Sequence, residues 1–373
     1  MIYFDNAATG GYKPESVITA TMAALRACAN PGRSGHALSV ACAERVYSVR
    51  KILQSFFGAP SADRVIFTKN CTEALNIAIL GSLKEGDRVV TTVAEHNSVL
   101  RPLKFLEEHR GVKVRYAPLD RSGNINIKAL ISLVDDSTSA VVMTLASNVT
   151  GAAPDVYAVR RAIPAHTYLI CDGAQACGHE SIDVTALGID ALAVAGHKGM
   201  LAAQGSGALI MSSRFNPEPI MFGGTGSESF NLAMPEFYPD RSEAGTLNYP
   251  AIISLGEGAL YLKTRMYEHR DFLVYLTDKL LTGLASLPFV RVYSRTNPYG
   301  IASFDVEGAS SEDIADRLSR DYSVCVRAGL HCAPLMHGAL GTSGLVRASL
   351  SPFNTEGEVE YFLKAMHEIV DGR

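Results

Sequence analysis

The 373-residue chain predicts an α/β fold: a large domain built on a mostly parallel sheet flanked by helices, plus a smaller α+β C-terminal domain. Three observations carry this. Between about residues 60 and 215, short runs rich in β-branched and apolar residues alternate with helical patterns. Those runs are apolar almost throughout rather than alternating, as strands buried on both faces are. After about residue 255 the order changes to helix, strands, helix and a final helix.

Taken in order, residues 14–58 read as helices punctuated at Asn30-Pro31-Gly32-Arg33. Strands follow at Val65-Ile66-Phe67-Thr68, Val89–Val93, Ala140–Leu145, Tyr168-Leu169-Ile170-Cys171, Ala191–Ala195 and Gly207–Met211. Residues 215–250, rich in Gly, Pro and Asn, form a long irregular connection of the kind that usually carries function. A helix from Leu255 to about Ser286 then precedes strands near Val290-Arg291-Val292 and Ile301–Val306 and a helix over Ser311–Arg320. The last helix, from about Thr355 to Val370, opens with a capping box at Asn354 or Thr355. The expected division is a large domain over 12–255 and a small one formed by 1–11 and 256–373.

Composition narrows the function classes. Hydrophobic residues make up 47% and charged residues 19%, ordinary for an enzyme with a large buried sheet. The net charge of −4 has no basic block, which argues against nucleic acid or an anionic membrane as partner. No apolar run reaches the length of a membrane span. Met1-Ile2-Tyr3-Phe4-Asp5 shows no signal-peptide core, so a cytoplasmic location is expected. The seven cysteines lack paired spacing and metal-site patterns, and most read as small buried groups in a reducing compartment.

The chemistry gathers at the carboxyl ends of strands, where α/β sheets collect ligands. Asp172-Gly173-Ala174-Gln175 ends one strand, and Gly196-His197-Lys198 ends the next. An acid and an amine delivered there suit pyridoxal 5'-phosphate (PLP), whose Schiff base needs a lysine and whose ring nitrogen needs an acid. Asn70 can cap the helix that opens at Cys71-Thr72-Glu73, leaving Thr72 at a helix N-terminus suited to a phosphate. Taken alone, that segment is an ordinary capped helix. His96 closes the next strand at the same edge, where its ring can stack on a cofactor, and Asn148 and Gln175 can reach a ring oxygen. Five strand ends thus present Thr, His, Asn, Asp/Gln and Lys.

Together these segments resemble the class V branch of fold-type I PLP enzymes, specifically the cysteine desulfurase/selenocysteine lyase family. The resemblance spans nearly the whole chain, from Phe4-Asp5-Asn6-Ala7-Ala8-Thr9 through Glu95-His96-Asn97-Ser98, Ser147-Asn148-Val149-Thr150-Gly151 and Glu243-Ala244-Gly245-Thr246 to Arg327-Ala328-Gly329-Leu330-His331-Cys332 and Arg347-Ala348-Ser349-Leu350. It implies that Lys198 is the Schiff-base lysine and proton shuttle, Asp172 the partner of the ring nitrogen, and His96 the stacking residue. Gln175 and Asn148 would contact the ring oxygen, and Thr72 and His197 the phosphate. Cys71 is grouped with these cofactor residues, although its thiol reads as an ordinary buried one. Thr246 resembles the threonine that reaches the neighbouring subunit's phosphate, which implies a homodimer with shared active sites. Arg347 resembles the clamp on the substrate carboxylate, a geometry that favours a bidentate guanidinium. Arg33, His36 and Arg327 would line the substrate pocket.

Cys332 separates the reactions this fold supports. The resemblance assigns it the persulfide, with His331 and Arg327 placed to depress its pKa. The implied activity converts L-cysteine to L-alanine and hands the sulfur to an acceptor protein. Alternatives are a selenocysteine lyase acting on L-selenocysteine, another class V PLP lyase or aminotransferase, or a non-catalytic scaffold. Ala195 stands where these enzymes usually carry a hydroxyl for the phosphate, and Thr225 is a candidate replacement. The short spacing from Val324 to Cys332 favours a rigid loop, as in group II desulfurases.

Overall fold

The computed structural model describes residues 1–372. Its strands in chain order are β1 (Ile2–Tyr3), β2 (Val65–Thr68), β3 (Arg88–Thr92), β4 (Lys113–Ala117), β5 (Thr138–Thr144), β6 (Tyr168–Asp172) and β7 (Ala191–Ala195). They continue with β8 (Gly207–Met211), β9 (Val290–Val292), β10 (Ile301–Val306), β11 (Val324–Cys325), β12 (Arg327–Gly329) and β13 (Leu345–Ser349). Seven of them form the central sheet in the order β2-β8-β7-β6-β5-β3-β4. Every neighbouring pair is parallel except those made by β8, which runs against both β2 and β7.

Two-sided burial explains the unbroken apolar runs. Val65 and Phe67 point into one core, beneath the helices Ala37–Phe57 and Tyr249–Ala285. Ile66 points into a second core beneath Cys71–Ser82 and Asn97–Arg110. A third core, built on Leu273, Phe304, Ile314 and Phe362, packs a four-stranded antiparallel sheet ordered β12-β13-β10-β9. The chain start joins that region, because β1 pairs in parallel with β11 and Asp5 bridges Ser349.

Three features differ from expectation. The long helix begins at Tyr249, not Leu255, because Asn248 accepts a hydrogen bond from Ala251 N–H and Pro250 fits the first turn. The edge strand β4 has no counterpart in the sequence reading, since Lys113–Ala117 alternates exposed and half-buried positions before the buried Ala117 instead of reading as a continuous apolar run. Strands β12 and β13 lie inside segments legible only as motifs. The final helix, Glu356–Asp371, is closed by a full capping box of Thr355 and Glu358. Residues 215–248 are irregular apart from one turn of 3-10 helix at Asp240–Ser242. No helix among the described residues is long and apolar enough to cross a membrane.

Candidate active site

A cavity of about 210 Å³ opens at the carboxyl ends of the parallel strands. Ten of the residues singled out in the sequence line it: Cys71, Thr72, His96, Asn148, Asp172, Gln175, His197, Lys198, Arg327 and Arg347.

The strand ends set the cofactor side. Asp172 terminates β6 in mid-sheet and is buried. Its Oδ1 accepts from the Cys71 thiol at 3.3 Å and from Ala174 N–H at 2.9 Å, fixing the carboxylate. Burial pushes the Cys71 thiol up, so it stays protonated and donates. Lys198 follows β7 through Gly196, where a Cβ would lie 2.0 Å from the Ser206 hydroxyl, so only glycine fits. Enclosure lowers the Lys198 pKa and Asp172 partly opposes that, which leaves an amine able to exchange protons more readily than a surface lysine.

The phosphate-suited corner is the paired start of two helices. Asn70 caps Cys71–Ser82 through Glu73 N–H, and His96 caps Asn97–Arg110, its Nδ1 accepting from Ser98 N–H at 3.0 Å. That bond places the His96 ring proton on Nε2, and burial lowers its pKa to about 4, so the ring is neutral. The Thr72 and Ser98 hydroxyls meet at 2.8 Å, and Ser98 also reaches His96 Nδ1 at 2.9 Å. Ser98, quoted in the Glu95–Ser98 motif but given no role there, lines the cavity, as does Thr144; the place of Ser98 in the first turn after a strand end is the signal for it. His197 Nδ1 pairs with Thr9 Oγ1 at 3.1 Å, and its pKa also falls to about 4 by burial.

Two expected ring-oxygen ligands are tied to the chain itself. Gln175 Nε2 donates to Ala7 O at 3.0 Å, and Asn148 Nδ2 donates to His331 O at 2.7 Å. Each amide keeps a second N–H for a ligand.

Arg347, on β13, is 1% exposed. Its Nη1 donates to Asn148 O at 2.8 Å and its Nη2 to Asp5 Oδ1 at 3.0 Å, while Nε has no partner. Burial lowers its pKa to about 10, still a full cation near neutral pH.

Cys332 is exposed, just outside the cavity, on the turn after β12. His331 and Cys332 both adopt left-handed backbone, φ 49° and 58°. Asn97 N–H binds Cys332 O at 2.7 Å, and Arg327 Nη2 lies 3.8 Å from Cys332 Sγ. His331 cannot lend its charge as expected. It is buried, Nε2 pairs with Leu345 O at 3.1 Å, and desolvation lowers its pKa to about 2, leaving Arg327 as the cation beside the sulfur.

Four residues lie apart from this cavity. His36 caps Ala37–Phe57 at the surface. Arg33 and Thr225 line a separate cavity of about 240 Å³, so Thr225 lies away from Ala195 of its own chain. Thr246 is exposed on a segment moored by the buried Arg50–Glu243 ion pair, whose Glu243 Oε1 also accepts from Phe67 N–H at 2.6 Å.

Comparison with known proteins agrees with this arrangement. The chain belongs to the aminotransferase class-V family, whose profile matches residues 2–362. A probable cysteine desulfurase of Methanothermobacter thermautotrophicus is 35% identical, over 91% of this chain and 88% of the relative. The apo structure of a cysteine desulfurase from Thermococcus onnurineus superposes with a TM-score of 0.92 at 33% identity, covering 100% of this chain and 95% of the other. The S-sulfonic acid form of the cysteine desulfurase CsdA from Escherichia coli gives 0.89 at 28% identity, covering 99% and 94%.

Proposed function

We propose that this protein is a PLP-dependent cysteine desulfurase. It moves the sulfur of L-cysteine to Cys332, releases L-alanine, and passes the persulfide sulfur to an acceptor. The observation that carries this reading is the convergence of Lys198, Asp172, His96 and Arg347 on one cavity, with the Cys332 turn held beside it by Asn97 N–H on the Cys332 carbonyl and the Asn148 amide on the His331 carbonyl.

The donor set fits PLP. When bound, PLP supplies an electron-accepting ring that makes the α-proton of an attached amino acid removable. Lys198 Nζ would hold the cofactor and move that proton. The Asp172 carboxylate would pair with the ring nitrogen, and the neutral His96 ring would cover its face. Thr72, Ser98 and His197 offer donors to the phosphate, while Cys71 steadies Asp172. Arg347 would hold the amino-acid carboxylate. Cys332 Sγ takes the substrate sulfur, so thiol and L-cysteine become persulfide and L-alanine with atoms in balance, and Arg327 Nη2 lies beside that sulfur.

The reading includes a cytoplasmic homodimer, with the large and small units divided as the sequence suggests. The exposed Thr246, and Phe222, Phe230 and Leu232 exposed on the same irregular connection, support a second copy covering this face. The exposure of Cys332 supports an acceptor protein that comes to it.

The test measures alanine formation from L-cysteine and L-selenocysteine side by side, in the wild type and in Cys332→Ser. Desulfuration predicts alanine from L-cysteine that disappears in the variant. Full turnover of L-cysteine by Cys332→Ser would overturn the persulfide route, and a preference for L-selenocysteine independent of Cys332 would favour a lyase.

A further inference from the structure

Arg347 is the deepest cation of the site and is held from two sides. Asn148 O takes Nη1, and Asp5 Oδ1 takes Nη2 from the chain's beginning, 342 residues away in sequence. Arg347 lines the cavity and Asp5 does not, so the aspartate grips the guanidinium from outside the space a substrate would fill.

Asp5 is itself fixed. Ser349 N–H donates to Phe4 O at 2.7 Å, Asn6 N–H to Ser349 O at 3.2 Å, and Ala7 N–H to the Ser349 hydroxyl at 2.9 Å. The same short segment continues to the cofactor side. Ala7 O accepts from the Gln175 amide at 3.0 Å, Thr9 Oγ1 meets His197 Nδ1 at 3.1 Å, and Gly10 N–H donates to His197 O at 2.8 Å.

We propose that Asp5 is the positioning residue for Arg347, and that the segment Asp5–Gly10 is a strap registering the carboxylate clamp against the residues that flank Lys198. This rests on the reading of Arg347 as the clamp. The physical case is one of orientation. A guanidinium anchored at both Nη atoms cannot swing, so its remaining N–H groups face an incoming carboxylate without a reorganisation cost. Asp5 also offsets the burial and the nearby Arg327 charge that together disfavour the Arg347 cation.

The test is steady-state kinetics of the holoenzyme with L-cysteine for Asp5→Ala, Asp5→Asn, Asp5→Glu and Arg347→Lys, alongside the dissociation constant of L-alanine read from cofactor absorbance. Asp5→Ala should raise KM about 10-fold and weaken L-alanine equally, with kcat changed less than about threefold and cofactor content unchanged, the signature of lost uniform binding. Asp5→Asn should lie between Asp5→Ala and wild type, and Asp5→Glu should restore part of the affinity. An unchanged KM in a folded Asp5→Ala overturns the proposal. So does a lower KM, which would make Asp5 a competitor for Arg347, and so does a fall in kcat alone. Should Asp5→Ala fail to fold, the isosteric Asp5→Asn decides by the same KM criterion. Arg347→Lys separates the two ideas: an unchanged KM there sinks the clamp itself, whereas a raised KM there beside an inert Asp5→Ala sinks only the strap.

Discussion

The cofactor side of the cavity and the Cys332 turn are built by opposite means. Asp172 and Lys198 follow adjacent strands of a seven-stranded sheet, enclosed by two cores. Cys332 stands on a four-residue turn between β12 and the helix Pro334–Leu340, exposed, with two consecutive left-handed residues. The first region keeps charged and nucleophilic groups away from water, where burial sets their protonation. The second keeps its sulfur in water, with the guanidinium of Arg327 3.8 Å away. An enzyme that must seal a reaction and yet export its product atom needs both environments within one side chain's reach.

Separating the halves by substitution tests this contrast most strongly. Lys198→Ala should abolish the cofactor absorbance near about 420 nm and all alanine formation, while leaving Cys332 as reactive to an alkylating agent as in the wild type. Cys332→Ser should do the reverse, keeping the absorbance and losing transferable sulfur. If either change disables both halves, the division is wrong. Glu243→Gln breaks a buried pair and should cost about 3–5 kcal/mol of stability, seen as a lowered thermal midpoint, with the cofactor spectrum retained at low temperature. Arg327→Met removes the group that lines the cavity and lies 3.8 Å from Cys332 Sγ, and should lower kcat/KM for L-cysteine by several-fold without altering cofactor content.

The smallest expected effect is a pH dependence of the buried half. His96 and His197 titrate near about 4 in the folded protein instead of at the ordinary 6.5. The unfolded chain therefore binds protons that the fold refuses between those values. Stability is full above pH 6.5 and is lost as pH falls through about 4, so thermal unfolding near pH 5 should take up as many as two protons from these groups. Proton uptake measured by calorimetry in buffers of different ionisation enthalpy checks this. An uptake near zero means the rings are not held neutral.

How much of this was legible in the chain follows from the range of the forces involved. Val65–Phe67, Leu169–Cys171 and Ala191–Ala195 announce themselves because burial on both faces leaves no polar position to break the run. The Asn70 cap was legible because capping is local, and the start at Tyr249 offered the same kind of signal in Asn248 and Pro250. The edge strand Lys113–Ala117, half solvated, carried no such run. Asp5 on Arg347, the refusal of His331 to carry charge, and the separation of Thr225 from Ala195 are set by contacts hundreds of residues apart or by desolvation, which no spacing records.

The left-handed pair at His331 and Cys332 has one more consequence. Each L-residue held there costs roughly 1–2 kcal/mol over an extended or helical one, offset by the His331 carbonyl's bond to Asn148 and the Cys332 carbonyl's bond to Asn97. A turn anchored at both carbonyls cannot uncoil into a tether without losing those bonds. The sulfur is thus presented at a fixed bearing and depth, like a berth rather than a crane, and it is the recipient that must have the right profile to dock.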